Sequence, residues 1–402
     1  MPIRCGVVSR TVTLVLVDAA GELLGALPSV EAREPWWQST ADVAAAVQDR
    51  FGLDVTVLRL LRAERSAPPG GAVTYLAQVG ERPQFELVPV SLRLPDHPAR
   101  PPYARPGGPQ STLRWATAAL RTQGLWPVVQ AVQERTWNLS SLWRLETSAG
   151  VAWIKEVPEF FGHEPAILRW LTENGQGARV PPLLAAEGQR MLLGHVAGAD
   201  LYGADVLVRD AIGAAMHEIH LAAADAVPQL LHIGLPDRRP AVLVETLPAV
   251  VATAGAVDPR LEALVAGLED RLRRVEECGL PATLVHGDLH PGNARALAGG
   301  PIVLIDWGDS AVGHPALDML RLIDGVAEPD ARYLVEAWAR RWRGSVPGCE
   351  PTLALELMKP VAALIAAAAY AGFLARIEPA EHPYHRSDVP ACLARAAELA
   401  CV

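Results

Sequence analysis

The stretch Leu284-Val285-His286-Gly287-Asp288-Leu289-His290-Pro291-Gly292-Asn293, followed past Gly299 and Gly300 by Ile302-Val303-Leu304-Ile305-Asp306-Trp307-Gly308-Asp309, decides how the chain is read. Two apolar runs, Thr283 to Val285 and Ile302 to Ile305, have the character of buried strands. Each delivers an acid at its end, Asp288 and Asp306, with Asn293 on the loop between, so three oxygen ligands gather at one end of a hairpin-like unit. Mg²⁺ takes oxygen ligands and is usually held by one or two protein groups plus substrate phosphates, which this set supplies. The third acid or amide of the set can then hold a hydroxyl in line with a phosphorus atom.

An Asp five residues before an Asn, with an Asp-aromatic-Gly on the next strand, is the pattern of a kinase catalytic loop and metal loop. Here it is Asp288, Asn293 and Asp306-Trp307-Gly308. The run His286 to Asn293 resembles the aminoglycoside phosphotransferase and choline kinase family of small-molecule kinases. So does the tail from Ile305 through Gly313-His314-Pro315-Ala316-Leu317-Asp318. The resemblance implies a bilobal protein-kinase-like α+β fold, with a β-rich N-lobe and a large helical C-lobe. It also implies ATP or GTP as co-substrate, Asp288 as the catalytic residue, and Asn293 and Asp306 as Mg²⁺ ligands.

Composition fits an ordinary globular protein: 402 residues, half of them apolar, enough for two or three domains. The formal charge of -9, without a basic stripe, argues against a nucleic-acid partner and is more at ease with a cationic small substrate. Five scattered cysteines, Cys5, Cys278, Cys349, Cys392 and Cys401, form no Cys-x-x-Cys pair, which predicts a reduced, cytoplasmic setting without a disulfide framework or zinc. The N-terminal residues do not have the form of a signal peptide. The alanine-rich stretch between Lys359 and Arg376 predicts a buried helix rather than a membrane span.

Residues 1–92 predict a small α/β module: strands at Thr11 to Val17, Leu23 to Leu27, Val55 to Leu61 and Ala72 to Val79, and a helix from Ala41 to Phe51 stopped by Gly52. A helix ending Phe-Gly-Leu and running into a strand resembles the end of a Nudix box. The metal-binding acids of that box fall on Ala46, Asp49, Arg50 and Trp37, and its opening glycine on Glu31, so one acid survives of several. The resemblance is to a degenerate Nudix-like domain without pyrophosphate hydrolysis. The proline-rich residues 93–109 predict a semi-extended linker.

Residues 110–196 predict the N-lobe: a helix from Thr112 to Gln123, then strands at Gln130 to Gln133, Leu142 to Glu146 and Val151 to Val157. Lys155, one of only two lysines in the chain, sits on the last of these. A chain that elsewhere uses arginine keeps a compact, rotatable ammonium here, as a kinase does for its α and β phosphates. Glu164, at the start of a helix from His163 to Asn174, is the candidate partner for Lys155, with Glu156 and Glu159 as rivals. The turn at 136–141 lacks the glycines of a phosphate-covering loop, leaving Ser140 and Ser141 as donors. Gly194-His195-Val196 resembles the interlobe hinge that reads the adenine edge.

Residues 197–402 predict the helical C-lobe that takes the acceptor. His217 and His220, on adjacent turns of a helix from Val206 to Ala223, have a spacing open to metal binding but better suited to a half-buried helix. His290 is expected to structure its loop, and Asp309 and Asp318 to cap loop or helix. The expected activity is Mg²⁺-dependent phosphoryl transfer to a small-molecule hydroxyl; aminoglycosides, other antibiotics, amino alcohols and sugars are all acceptors of proteins the chain resembles. The alternatives are an inactive nucleotide-binding scaffold and a protein Ser/Thr kinase. About ten residues between Asp306 and the next helix leave no room for an activation segment, and no membrane partner is expected.

Overall fold

In the computed structural model, which describes residues 9–124, 127–253, 258–297 and 299–400, β1 (Arg10–Val17) carries β-branched and leucine residues after Arg10 and is buried on both faces from Leu14 to Val17. It pairs in parallel with β5 (Gly71–Val79) and antiparallel with the short β2 (Leu23–Ala26) and β3 (Val30–Ala32); β4 (Val55–Ala63) completes the sheet against β5. Helix α1 (Ala41–Phe51) closes at Gly52 in the left-handed region and sets Val43 and Val47, one turn apart, into a core with Leu14, Trp37 and Tyr75. The helix and the four longer strands match those expected of the N-terminal module, and β3 is an addition to them.

The second sheet is wholly antiparallel. Its order is β6 (Val128–Trp137), β7 (Ser140–Thr147), β8 (Gly150–Glu156), β10 (Arg190–Gly194) and β9 (Leu183–Glu187). Helix α2 (Gly108–Thr122) covers it with Ala116 and Leu120. The helix begins four residues before the expected Thr112, because Pro109 sits in the first turn, where no N–H is needed.

By its contacts the chain divides into two units. One comprises Met1–Gly162, Leu183–His195 and Gly372–Ser387; the other comprises His163–Pro182, Val196–Ala371 and Asp388–Val402. Both sheets lie in the first. Gln133 of β6 pairs its side chain with the Val57 backbone in both directions, at 2.9 and 2.8 Å, and Thr40 donates to the Gln133 carbonyl. The proline-rich residues 93–109, expected as a semi-extended linker, are tied to both sheets' surroundings by side-chain bonds. Tyr103 is buried and donates to the Trp137 carbonyl, and buried Arg100 forks onto both oxygens of Glu378 at 2.7 Å. A bidentate pair at that depth anchors the segment.

Glu381 completes this junction. Its carboxylate is buried, accepts the Leu60 N–H at 2.9 Å and meets the Asn138 side chain. Burial pushes its pKa from the ordinary 4.5 up to about 7, against the pull of the Leu60 and Asn138 hydrogen bonds.

The second unit is mostly helical. It holds α3 (Glu164–Leu171), α4 (Val206–Ala223), α5 (Val227–His232), α6 (Pro240–Ala252), α7 (Pro259–Ala266), α8 (Leu268–Glu277), α9 (Ala316–Leu322), α10 (Glu328–Ser345), most of α11 (Pro351–Arg376) and α12 (Asp388–Ala400). The single helix expected over Pro259 to Cys278 is two, broken at Gly267. Helix α11 is long and apolar enough to cross a membrane, yet Leu355, Met358, Val361 and Leu364 are buried in one core with Trp338 and Trp342. Cys278, Cys349 and Cys392 are free thiols; Cys5 and Cys401 lie outside the described residues.

The Glu381 environment makes stability depend on pH. Below about pH 4.5 both folded and unfolded forms carry the proton; between there and about pH 7 only the folded form keeps it, and stability is progressively lost. Glu381→Gln, which keeps an acceptor for Leu60, is expected to gain about 3 kcal/mol over the wild type between pH 5 and pH 8. Urea unfolding at the two pH values measures this; parallel curves would contradict it.

Candidate active site

The two apolar strands of the motif do not pair with each other, so the expected hairpin-like unit is corrected. β12 (Thr283–Val285) pairs with β15 (Ala311–Gly313), while β14 (Val303–Leu304) pairs with β13 (Ala294–Ala296), which also pairs with β11 (Ala199–Asp200). Each strand has a better-placed antiparallel partner, and side-chain and backbone bonds between the loops do the joining. The Ile305 N–H donates to the Asn293 carbonyl at 2.9 Å. Buried His286 donates from Nε2 to the Ile305 carbonyl at 3.0 Å and receives the Asp288 N–H on Nδ1 at 3.3 Å. Burial lowers the pKa of His286, and that bond pattern suits the neutral ring.

Asp318 fixes the turn ahead of Asp288. Expected as a cap, it lies inside α9, almost wholly buried, and its two oxygens accept the backbone N–H groups of His286 and Gly287, each at 2.9 Å. His220 Nε2 adds a third bond at 2.9 Å. Gly287 has φ +83°, and a Cβ there would lie 2.2 Å from the Asp309 carbonyl, so no other residue passes this point without displacing the loop that carries Asp306 and Asp309. The metal option for His217 and His220 gives way to these roles: His217 bonds Ser345, His220 bonds Asp318, and no cluster of three metal-ligating side chains occurs among the described residues.

Asp288 is held on both oxygens. Arg321 of α9 donates from Nε to Oδ1 at 2.7 Å, and Asn293 donates from Nδ2 to Oδ2 at 2.9 Å and to the Asp288 carbonyl at 3.0 Å. His290 accepts the Gly292 N–H on Nδ1 and places Nε2 3.4 Å from Oδ2. Burial works against the ionised carboxyl, but His290 and Arg321 hold it well below the usual carboxylate range. Asn293 is mostly buried. Its amide nitrogen must face the carboxylate, because only a donor can sit there, and this leaves its oxygen as a ligand.

Asp306 is exposed and has φ +66°, a positive value found at no other non-glycine position among the described residues. Such a conformation carries a cost and is typical of functional turns. Trp307 beside it is fully buried, and its N–H donates at 3.1 Å to Glu164, the buried first residue of α3.

The other expected residues lie in or at the edge of the first unit. Lys155 is buried on β8, opposite Met191 and Leu142. The β6–β7 turn is pinned rather than open: Asn138 is buried and bonded to His385 at 2.9 Å, and Trp137 packs on Tyr384. Ser140 accepts the Trp137 indole N–H, which leaves its own O–H as a donor, and the Ser141 side chain is buried. Gly194 ends β10. His195, exposed, receives the Trp153 indole N–H and closes the first unit, and the carbonyl of Val196, the next residue, accepts from Arg295 at 3.1 Å. Sequence reasoning missed Arg321, the half-buried Arg238 within electrostatic reach of Asp309 and Asp318, and the anchoring role of Asp318.

Residues 154–351 match the profile of the phosphotransferase enzyme family. The macrolide 2'-phosphotransferase MphH from Brachybacterium faecium is similar over 69% of this chain and 96% of its own, at 20% identity and a TM-score of 0.51. The choline kinase LicA from Streptococcus pneumoniae gives 72% and 99%, 14% identity and 0.54. The GDP complex of aminoglycoside 2'-phosphotransferase-IIIa gives 73% and 99%, 15% identity and 0.51. No curated protein matches the chain. The profile match over residues 154–351 and the shared kinase-like fold bear out the expected resemblance to the phosphotransferase enzymes.

Removing the Asp318 carboxylate leaves two backbone donors and His220 unpaired in the interior. Asp318→Ala is therefore expected to cost about 3 to 5 kcal/mol, the range for breaking a buried pair. Denaturant unfolding measures it, and a cost below about 1 kcal/mol, that of a surface cap, would contradict the role.

Proposed function

We propose that the chain moves the γ-phosphoryl group of ATP or GTP to a hydroxyl of a small molecule in a Mg²⁺-dependent reaction in the cytoplasm. The observation that carries the reading is the fixed Asp288 carboxylate, held by Arg321 and Asn293 and braced from behind by Asp318. A carboxylate kept so firmly ionised is a weak base, suited to orienting a hydroxyl and taking its proton late, once the bond to phosphorus is forming.

The donor set fits the metal. The Asn293 amide oxygen and the Asp306 carboxylate are hard oxygen ligands on loops tied by the bond between Ile305 and Asn293. When bound, Mg²⁺ would neutralise phosphate oxygens and orient the transferred group. Lys155 is read as the point charge for the α and β phosphates, Glu164 as the brace of the phosphate-binding machinery, and Gly194 to Val196 as the adenine edge reader. The N-terminal module is read as a Nudix-like domain without hydrolytic activity of its own.

The pinned turn at Asn138 favours a second reading, a nucleotide-binding scaffold that transfers nothing. One experiment separates the two. Asp288→Asn is expected to lower acceptor-dependent ADP release by about 100-fold or more while Mg-ATP binding, followed by calorimetry, stays as in the wild type. Equal release by the variant and the wild type would refute the catalytic role.

A further inference from the structure

The side chain of Arg321 is the feature that the phosphotransfer reading leaves over. It is 40% exposed beside a carboxylate that is itself 33% exposed, so it is not a core ion pair. Nε is committed to Asp288 at 2.7 Å, and Nη1 reaches Asp324 at 3.2 Å. Asp324 is 73% exposed and three residues along the chain from Arg321, the kind of contact that exchanges readily with solvent or ligand. Nη2 makes no hydrogen bond among the described residues and keeps two donors, one on each edge of the planar fork.

Resting on the phosphotransfer reading, we propose that Arg321 selects an acceptor bearing an anionic group, a carboxylate or phosphate, a few bonds from the hydroxyl that is phosphorylated. The hydroxyl sits on Asp288. The neighbouring anion takes Nη2 and displaces Asp324 from Nη1, giving the two-point contact that guanidinium makes with carboxylate and phosphate oxygens. Arg321 bridges both points, so it fixes the spacing between hydroxyl and anion. A cationic acceptor meets a like charge at the place where its hydroxyl must dock, which the overall negative charge of the chain does not offset at contact distance. Tyr370 lies within electrostatic reach of both Asp288 and Arg321, and burial pushes its phenol above the ordinary range.

The test is ADP release with ATP and Mg²⁺ in the presence of glycerate, glycerol 3-phosphate, glycerol, choline or kanamycin, for the wild type, Arg321→Gln and Arg321→Lys. One of the two anions is expected to exceed glycerol in kcat/KM by about 10-fold or more, and which one separates carboxylate from phosphate. Arg321→Gln, which also releases one side of the Asp288 carboxylate, should slow turnover of every acceptor but erase the anion's advantage over glycerol through a KM raised by a similar factor, and Arg321→Lys should recover part of that advantage. Choline and kanamycin should stay at the water background. The proposal is overturned if a cationic acceptor is preferred, if the anion's advantage survives Arg321→Gln, or if neither anion raises the rate. Wild-type calorimetry with Mg-ATP distinguishes the failures. Binding with turnover of choline or kanamycin sinks only the Arg321 assignment, whereas no binding sinks the phosphotransfer reading itself.

Discussion

The carboxylate of Asp318 accepts the backbone N–H groups of His286 and Gly287 and the ring N–H of His220, and the positions of Asp288, Asn293 and Asp306 follow from those bonds. Backbone donors turned inward in a tight turn need acceptors, and water cannot supply them where Asp318 lies. With the turn fixed, Asp288 emerges one residue later in a single orientation, and the His286 ring spans from the Asp288 N–H to the Ile305 carbonyl. The loop that carries Asn293 and the loop that carries Asp306 are thus one bonded piece before any ligand arrives. Preorganisation of this kind is what phosphoryl transfer asks of a protein, since its catalysis is mostly positioning and charge stabilisation.

A second set of constraints acts in the first unit. Arg100, Tyr103, Asn138, Glu381 and His385 come from segments far apart in the chain, and together they bury the turn between β6 and β7. A glycine-rich loop keeps its freedom in order to fold over phosphates. Here the Trp137 indole N–H goes to Ser140, Asn138 Oδ1 bonds His385 and Trp137 packs on Tyr384, so the turn is held by packing instead. The N-terminal module contributes to that packing through Leu60 and Trp37.

Much of this was legible in the sequence where the signal is local. Asp288, Asn293 and Asp306 stand at short, fixed spacings, and Lys155 is conspicuous in a chain that otherwise uses arginine. The illegible parts are long-range. Asp318 looks like a cap because a lone acid near a helix start usually is one; its partners are 31, 32 and 98 residues away. Arg321 is one arginine among many until its 33-residue separation from Asp288 is closed by the fold. The strands at Thr283 and Ile302 were expected to pair because they are neighbours with apolar content, and nothing local reveals that Ala311–Gly313 and Ala294–Ala296 are their partners. Likewise the prolines of 93–109 announce an extended chain, but not that Arg100 finds Glu378, 278 residues on. The left-handed Asp306 has no sequence signature beyond the tolerance of aspartate for that region.

The most direct test of a site built in advance by protein bonds is a crystal structure of the chain with Mg²⁺ and a non-hydrolysable ATP analogue. The account predicts a metal about 2.1 Å from both the Asn293 amide oxygen and an Asp306 carboxylate oxygen, with the hydrogen bonds from His286 and Gly287 to Asp318 unchanged. A metal held without those two side chains, or a 286–288 turn that rebuilds on binding, would contradict it.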